Sequence, residues 1–298
     1  MSEKELKELA DYVFSDARLD DEFEELTKKI QEEQNLRKKI DIFQKKPKSI
    51  PDVERLKVAF ESYKKYKFFS KLEKIKKRPD HNYFFNYKGV WITADLLTGP
   101  SRILAQAKKL IDDNQSRKEE IDSALDLFCS VVYTIGNCCP TMKNPHSSIN
   151  PEIKKNKDWD DSCWWKLNYC LKLNARYTGI ENEGWDDNFN KRDSEKMFAV
   201  FPDNLTGKEI VDRLMLNDYY EGKRLVVSPI AQGKNEDNEE YINRFIDLMK
   251  AYTFLIVKRG IRIYKENNIE GINLDQLTEE LLTKKKKELA KSCTSQTS

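Results

Sequence analysis

The sequence predicts a mainly α fold: a helical body with one small β-hairpin and a helical, Lys-rich N-terminal extension. Three observations carry that expectation. Apolar residues recur three and four apart through most of the chain, which is the spacing of one helix face. β-Branched and aromatic residues flanking a Gly turn are confined to one short stretch, near residues 83–93. Although 35% of the residues are charged and the mean hydropathy is -0.77, the 14 Phe, 13 Tyr and 5 Trp supply more bulk than a disordered chain carries.

In the first eighty residues the helical spacing runs through Leu6, Leu9 and Val13; Phe23, Leu26 and Ile30; Leu36, Ile40 and Phe43; Leu56, Phe60 and Tyr63; and on to Leu72 and Ile75. Lys45-Lys46-Pro47-Lys48-Ser49-Ile50-Pro51-Asp52 interrupts it. Each proline biases its predecessor away from the helical basin, and Asp52 can cap the helix that follows. Tyr83 to Tyr87, then Lys88-Gly89, then Val90 to Thr93 read as the hairpin. Gly99-Pro100-Ser101 opens a helix through Leu110. Ile121, Leu125, Phe128 and Val132 mark a second, deeply apolar one, which is expected to end at the Gly of Tyr133-Thr134-Ile135-Gly136-Asn137.

Cys138 to Lys157, with three prolines, reads as an ordered loop leading to an aromatic-rich helix from Trp159 to Tyr177, and Gly184 to Asn204 as irregular. Thr206 with Glu209 makes a capping box for a helix through Tyr219, and Asn273 with Gln276 a weaker one near the end. Between them Tyr241, Phe245, Leu248, Tyr252 and Leu255, widened by Ile242, Ile246, Met249 and Ile256, describe a helix buried on most sides, expected to be the centre of the fold. Lys284 to Lys287 suggest a fraying basic helix before a loose tail. The expected division is therefore residues 1–78 as extension, 79–265 as main helical domain, and 266–298 as C-terminal helix and tail.

Total charge is only +2, but it is segregated: residues 1–27 carry a net -7 and residues 28–78 a net +11. Such asymmetry suits either an interaction surface or two parts of the chain that neutralise each other. No apolar run approaches the roughly 20 residues that cross a bilayer, and the acidic start lacks a secretion signal's pattern, so no membrane contact and a cytoplasmic location are expected. Cys129, Cys138, Cys139, Cys163, Cys170 and Cys293 then read as reduced thiols.

The order Tyr133-Thr134-Ile135-Gly136-Asn137, a Pro-containing loop with Ser148-Ile149-Asn150, a Trp-bearing helix over Asp160 to Cys170, Trp185, Leu214 to Tyr219, and Lys258-Arg259-Gly260-Ile261-Arg262-Ile263 resembles a group of uncharacterised bacterial and prophage proteins of unknown function. Their members end in a similar Arg-x-x-Arg-Ile helix. The resemblance covers roughly residues 81–265 by motif order. It implies a shared fold and a phage-conflict or mobile-element setting, and no reaction, because fold does not stand in for a site. Ile-Gly-Asn with a later Asn also looks like the tail of some HNH-type nucleases. The histidine would have to be His81, and the long helix between Ser101 and Val132 is at odds with their compact unit.

No phosphate-cradling glycine loop, dinucleotide fingerprint or serine-hydrolase elbow is present, and two histidines leave little His-based acid–base chemistry. Cys138, Cys139, His146, Cys163 and Cys170 are ligand types at the wrong spacing for zinc, so neither metal nor cofactor is expected. Asp158, Asp160, Asp161, Asp186 and Asp187 suit helix capping better than catalysis. Arg259 shares the stripe of Tyr252 and Leu255, so its guanidinium should be buried and partnered, either by a carboxylate such as Asp218 or by an anion held jointly with Asn137, Asn150 and Arg262. In the basic segment Lys64, Lys65 and Lys67 interleave with Tyr63, Tyr66, Phe68 and Phe69, a pattern suited to single-stranded nucleic acid. The function expected is thus non-enzymatic binding of nucleic acid or an acidic protein, with a carboxylate- or Arg-based phosphodiester hydrolase as the alternative. Oligomeric state is not legible.

Overall fold

The computed structural model describes residues 1–15, 75–77, 83–87, 90–98, 100–142, 212, 215–221, 224–226, 235–265 and 269–294. These residues are mainly helical. The chain forms two compact units interleaved in sequence: residues 1–50, 99–137 and 230–298 make the first, and 51–98 with 138–229 the second. The expected boundaries stand at 78 and 265. The first and last helices bury apolar faces within the same unit as the middle ones.

The first unit is built on α4, Asn238–Tyr264. Asp237 caps its start, accepting from Glu240 N at 2.8 Å while the Glu240 carboxylate accepts from Asp237 N at 3.3 Å. All nine apolar side chains expected on its wide stripe are buried, as are Val257, Ile261 and Ile263. Three helices pack on it: α1, Glu3–Val13; α3, Lys118–Val131; and α5, Leu274–Thr294. In α1, Ser2 and Glu5 form a reciprocal capping box, and Leu6, Leu9 and Val13 are buried. The Ser2 hydrogen bonds hold the Glu5 carboxyl below its usual range. Helix α2, Pro100–Asp113, packs on α3 with Pro100 in its first turn, where a missing N–H costs nothing. Its Ile103, Leu104, Ala107, Leu110 and Ile111 are buried at helical spacing. Asn273 Oδ1 accepts from Gln276 N at 3.1 Å at the head of α5, where the spacing places a cap.

The expected core stripe of α3, Ile121, Leu125, Phe128 and Val132, is buried, but the helix stops sooner than its glycine suggests. Its last residue is Val131, and Ile135–Asn137 forms a separate 3₁₀ turn. Gly136 does not take the left-handed backbone of a helix stop; among the described glycines Gly271 alone does. No helix among the described residues is long and apolar enough to cross a membrane.

In the second unit four antiparallel strands pair in chain order: β1, Ile75–Lys77; β2, Tyr83–Tyr87; β3, Val90–Leu96; and β4, Cys138–Met142. Two expectations change here. Ile75, counted as helical, begins β1 opposite Phe85, and Cys138 to Met142, expected as loop, pairs with β3 from Leu96 back to Ile92. Pro140 stands opposite Ala94 in the last strand of the order, where a residue without an N–H is tolerated. A third change concerns the helix expected to run through Tyr219. Met215 adopts φ 57°, a left-handed conformation that ends a helix, and Asn217–Tyr219 is a single 3₁₀ turn leading into the two-residue strand β5, Tyr220–Glu221, which pairs with β6, Arg224–Leu225. The expected helices between residues 16 and 74, the loop after Met142, the aromatic helix, the irregular stretch and the Thr206–Glu209 cap lie outside the described residues.

The buried phenol of Tyr241 yields a first prediction. Burial pushes it up to about 12 from 10, partly offset by hydrogen bonding with Gln106 and by the Arg244 charge. Since the folded-state value is the raised one, the phenol stabilises the fold fully below pH 10, and that contribution is lost as pH climbs through about 12. Urea midpoints measured between pH 9 and 12 should fall steeply in the wild type, by a ΔG on the order of 2 kcal/mol, and less steeply in Tyr241→Phe. Parallel curves for the two proteins would show that Tyr241 does not govern the alkaline limb.

Candidate functional site

The motif residues Thr134 to Asn137 and the α4 residues Lys258 to Arg262 meet in the first unit, and sterics explain why. A Cβ on Gly136 would lie 2.0 Å from the Ile256 carbonyl oxygen and 3.0 Å from Gly260 N. Backbone therefore rests directly on backbone, and only a residue without a side chain permits it. Arg259, 1% exposed, reaches across and donates from Nη1 to the Gly136 carbonyl at 2.8 Å. The burial that its phase on α4 predicts is found. One partner is a backbone carbonyl contributed from 123 residues away.

Its neighbours extend the same pattern. Asn137 is fully buried, and its Nδ2 donates to the Val132 carbonyl at 2.7 Å; Thr134 Oγ1 donates to the Val131 carbonyl at 2.7 Å. Carbonyls at the end of a helix have no partner within it, and buried unpaired ones are costly. Three side chains of this cluster thus satisfy backbone oxygens where α3 ends and the turn begins. Lys258 points to the other side: its Nζ lies 2.6 Å from Asp275 Oδ1 and ties α4 to the first turn of α5. Arg262, in the last turn of α4, is half-buried and sits where a cation favours the helix dipole.

A second polar cluster surrounds the start of α4. Arg244 pairs with Glu236 through two contacts, at 2.6 and 2.8 Å, and its guanidinium carbon lies 5.2 Å from the centre of the Tyr241 ring. Arg117 forks onto Glu120, donating from Nε and Nη2 at 2.8 Å each, and its Nη2 also donates to Asn243 Oδ1 at 2.8 Å, linking the head of α3 to α4. Hydrogen bonding to Glu120 raises the Arg117 pKa, and Arg117 in turn lowers that of Glu120. Each carboxylate here has a paired cation, which suits positioning of helices rather than proton transfer.

Of the sequence-derived candidates, Arg259 bonds the Gly136 carbonyl in the turn that contains Asn137, whose own side chain bonds the Val132 carbonyl. Asn150, Lys64, Lys65 and Lys67 lie outside the described residues, as do His146, Cys163 and Cys170. Among the described residues no three His, Cys, Asp or Glu side chains converge as a metal site. Sequence reasoning names Val13 on a helix stripe and Gly260 in a motif but does not link them, and a Cβ on the glycine would meet Val13 Cγ1 at 3.2 Å. A small residue inside an otherwise bulky stripe is the signal that could have found them.

Compared with protein-family models, curated proteins and solved structures, the chain matches none.

Proposed function

We propose that the chain is a cytoplasmic binding protein, not an enzyme, that holds single-stranded nucleic acid through its Lys-rich extension. The observation that carries this reading is the charge segregation: a net +11 over residues 28–78, with Lys64, Lys65 and Lys67 set among Tyr63, Tyr66, Phe68 and Phe69. Cationic side chains release the counterions of neutralised phosphates, and aromatic faces accept unstacked bases. Lys284, Lys286 and Lys287 are exposed on α5.

On this reading the extension is helical, the hairpin near residues 83–93 belongs to the helical body, and the setting is the phage-conflict one that the resemblance implies. An acidic protein surface is the competing ligand, and Asn137, Asn150, Arg259 and Arg262 are the candidate anion contacts within the body.

Fluorescence anisotropy with a labelled single-stranded DNA, titrated from low to moderate salt, tests the proposal. The triple variant Lys64→Glu, Lys65→Glu, Lys67→Glu should bind more weakly and with a flatter salt slope, by about 0.7 for each phosphate no longer neutralised. An unchanged slope, or no binding by the intact protein at low salt, overturns the assignment. Cleavage of the DNA in the presence of magnesium or manganese would replace it with the phosphodiesterase reading.

A further inference from the structure

We propose that α1 is a latch whose docking controls the firmness of the turn at Ile135–Asn137, with Gly260 as the coupling point. The inference is independent of the ligand proposed above.

Two segments, α1 and the turn, meet this one residue of α4. From one side Val13 of α1 presses on it, its two methyl carbons 3.2 and 3.6 Å from the position a Cβ would take. From the other, Gly260 N lies 3.0 Å from where a Gly136 Cβ would be. With no side chain at either glycine, nothing flexible stands between α1 and the turn, and a displacement on one side passes into the α4 backbone. The adjoining residue, Arg259, makes the hydrogen bond to the Gly136 carbonyl, so the backbone that seats Val13 also aims the guanidinium.

Helix α1 has the properties of a separable element. It is 11 residues long, and a helix of that length is marginal by itself in water, so folding and docking are one event. Leu6, Leu9 and Val13 provide its buried face, the Tyr12 ring lies 5.0 Å from that of Tyr264, and Lys285 Nζ of α5 stands 5.3 Å from the Phe14 ring. Its outward side carries Glu3, Glu5, Glu8 and Asp11, all exposed. The turn on the far side is also where the chain leaves this unit, Asn137 being its last residue there and Cys138 the first of the next segment. The state of α1 therefore sets how firmly that exit is held, a coupling between two places on the fold that share one bistable contact.

Amide hydrogen exchange on the full chain tests this. Thr134 N and Asn137 N are hydrogen-bonded, to the Val131 and Thr134 carbonyls, and report the turn; Leu6 N, bonded to the Ser2 carbonyl, and Phe14 N, bonded to that of Ala10, report α1. Gly260→Ala should accelerate exchange at least tenfold at both sets, and adding Val13→Ala, which removes the opposing methyls, should restore both. Acceleration confined to α1, or no acceleration, overturns the proposal. Should Gly260→Ala fail to fold, Leu9→Asp undocks α1 without altering the α4 backbone. The same two sets must then accelerate together, and a turn that stays protected while α1 exchanges freely is equally fatal to the idea.

Discussion

Gly136→Ala should destabilise the protein by about 3 kcal/mol or more, lowering Tm by roughly 6 °C or more, although it adds one methyl to a neutral buried residue. The methyl would lie 2.0 Å from the Ile256 carbonyl oxygen, far inside any approach a carbon tolerates. That oxygen belongs to the backbone of the helix on which the unit is built, so it cannot swing aside as a side chain could. Either the turn lifts off α4 and gives up the Arg259 hydrogen bond, or α4 distorts. A melting temperature within about 1 °C of wild type would mean that the two backbones do not touch as described.

Replacing Arg259 has the second large effect. Arg259→Met keeps length and apolar bulk but leaves the Gly136 carbonyl without this donor inside the core, at a cost of roughly 2–4 kcal/mol in urea unfolding. Arg259→Lys should recover only part of it, because an ammonium on a flexible stem does not reproduce the planar fork of a guanidinium. Since the two residues share a hydrogen bond, the destabilisations from Gly136→Ala and Arg259→Met should fall short of additivity when combined. Full stability in Arg259→Lys would show that charge alone matters at this position, and full additivity that the two residues act separately.

Local periodicity explains what is legible in the sequence. The stripes of α3 and α4 follow from side chains a few residues apart, and the phase of Arg259 with Tyr252 and Leu255 is enough to place its guanidinium in the core. The Gly136 carbonyl among its partners is not legible, because a carbonyl 123 residues away leaves no trace in side-chain chemistry. Gly136 shows the same limit from another direction. A glycine signals either a backbone that needs positive φ or a place where a Cβ would collide, and the residue type is identical in both cases. Its position after an apolar stripe suggests the first, a helix stop; the second is found. Two capping boxes, Ser2 with Glu5 and Asp237 with Glu240, stand at plain three-residue spacing and are stronger than the signal at Asn273, yet nothing in the apolar pattern draws attention to them. The strand at Cys138–Met142 is masked by its proline, which reads as a loop residue unless the strand's place at the end of the pairing order is known.

The interleaving of the units also bears on how the chain is made. During synthesis α1, α2 and α3 leave the ribosome long before α4, the helix that buries α1 and α3, so the apolar face of α1 must wait for a partner roughly 250 residues downstream. At about 5–20 residues per second that interval lasts from over ten seconds to nearly a minute. Helices as short as α1 do not persist unsupported, and pairings so distant along the chain form slowly. The N-terminal third of the nascent protein should therefore be a client of holding chaperones. A ribosome-bound chain stalled before Asp237 should be cut readily by protease near Leu6 to Val13, whereas one extended until α5 has emerged should resist.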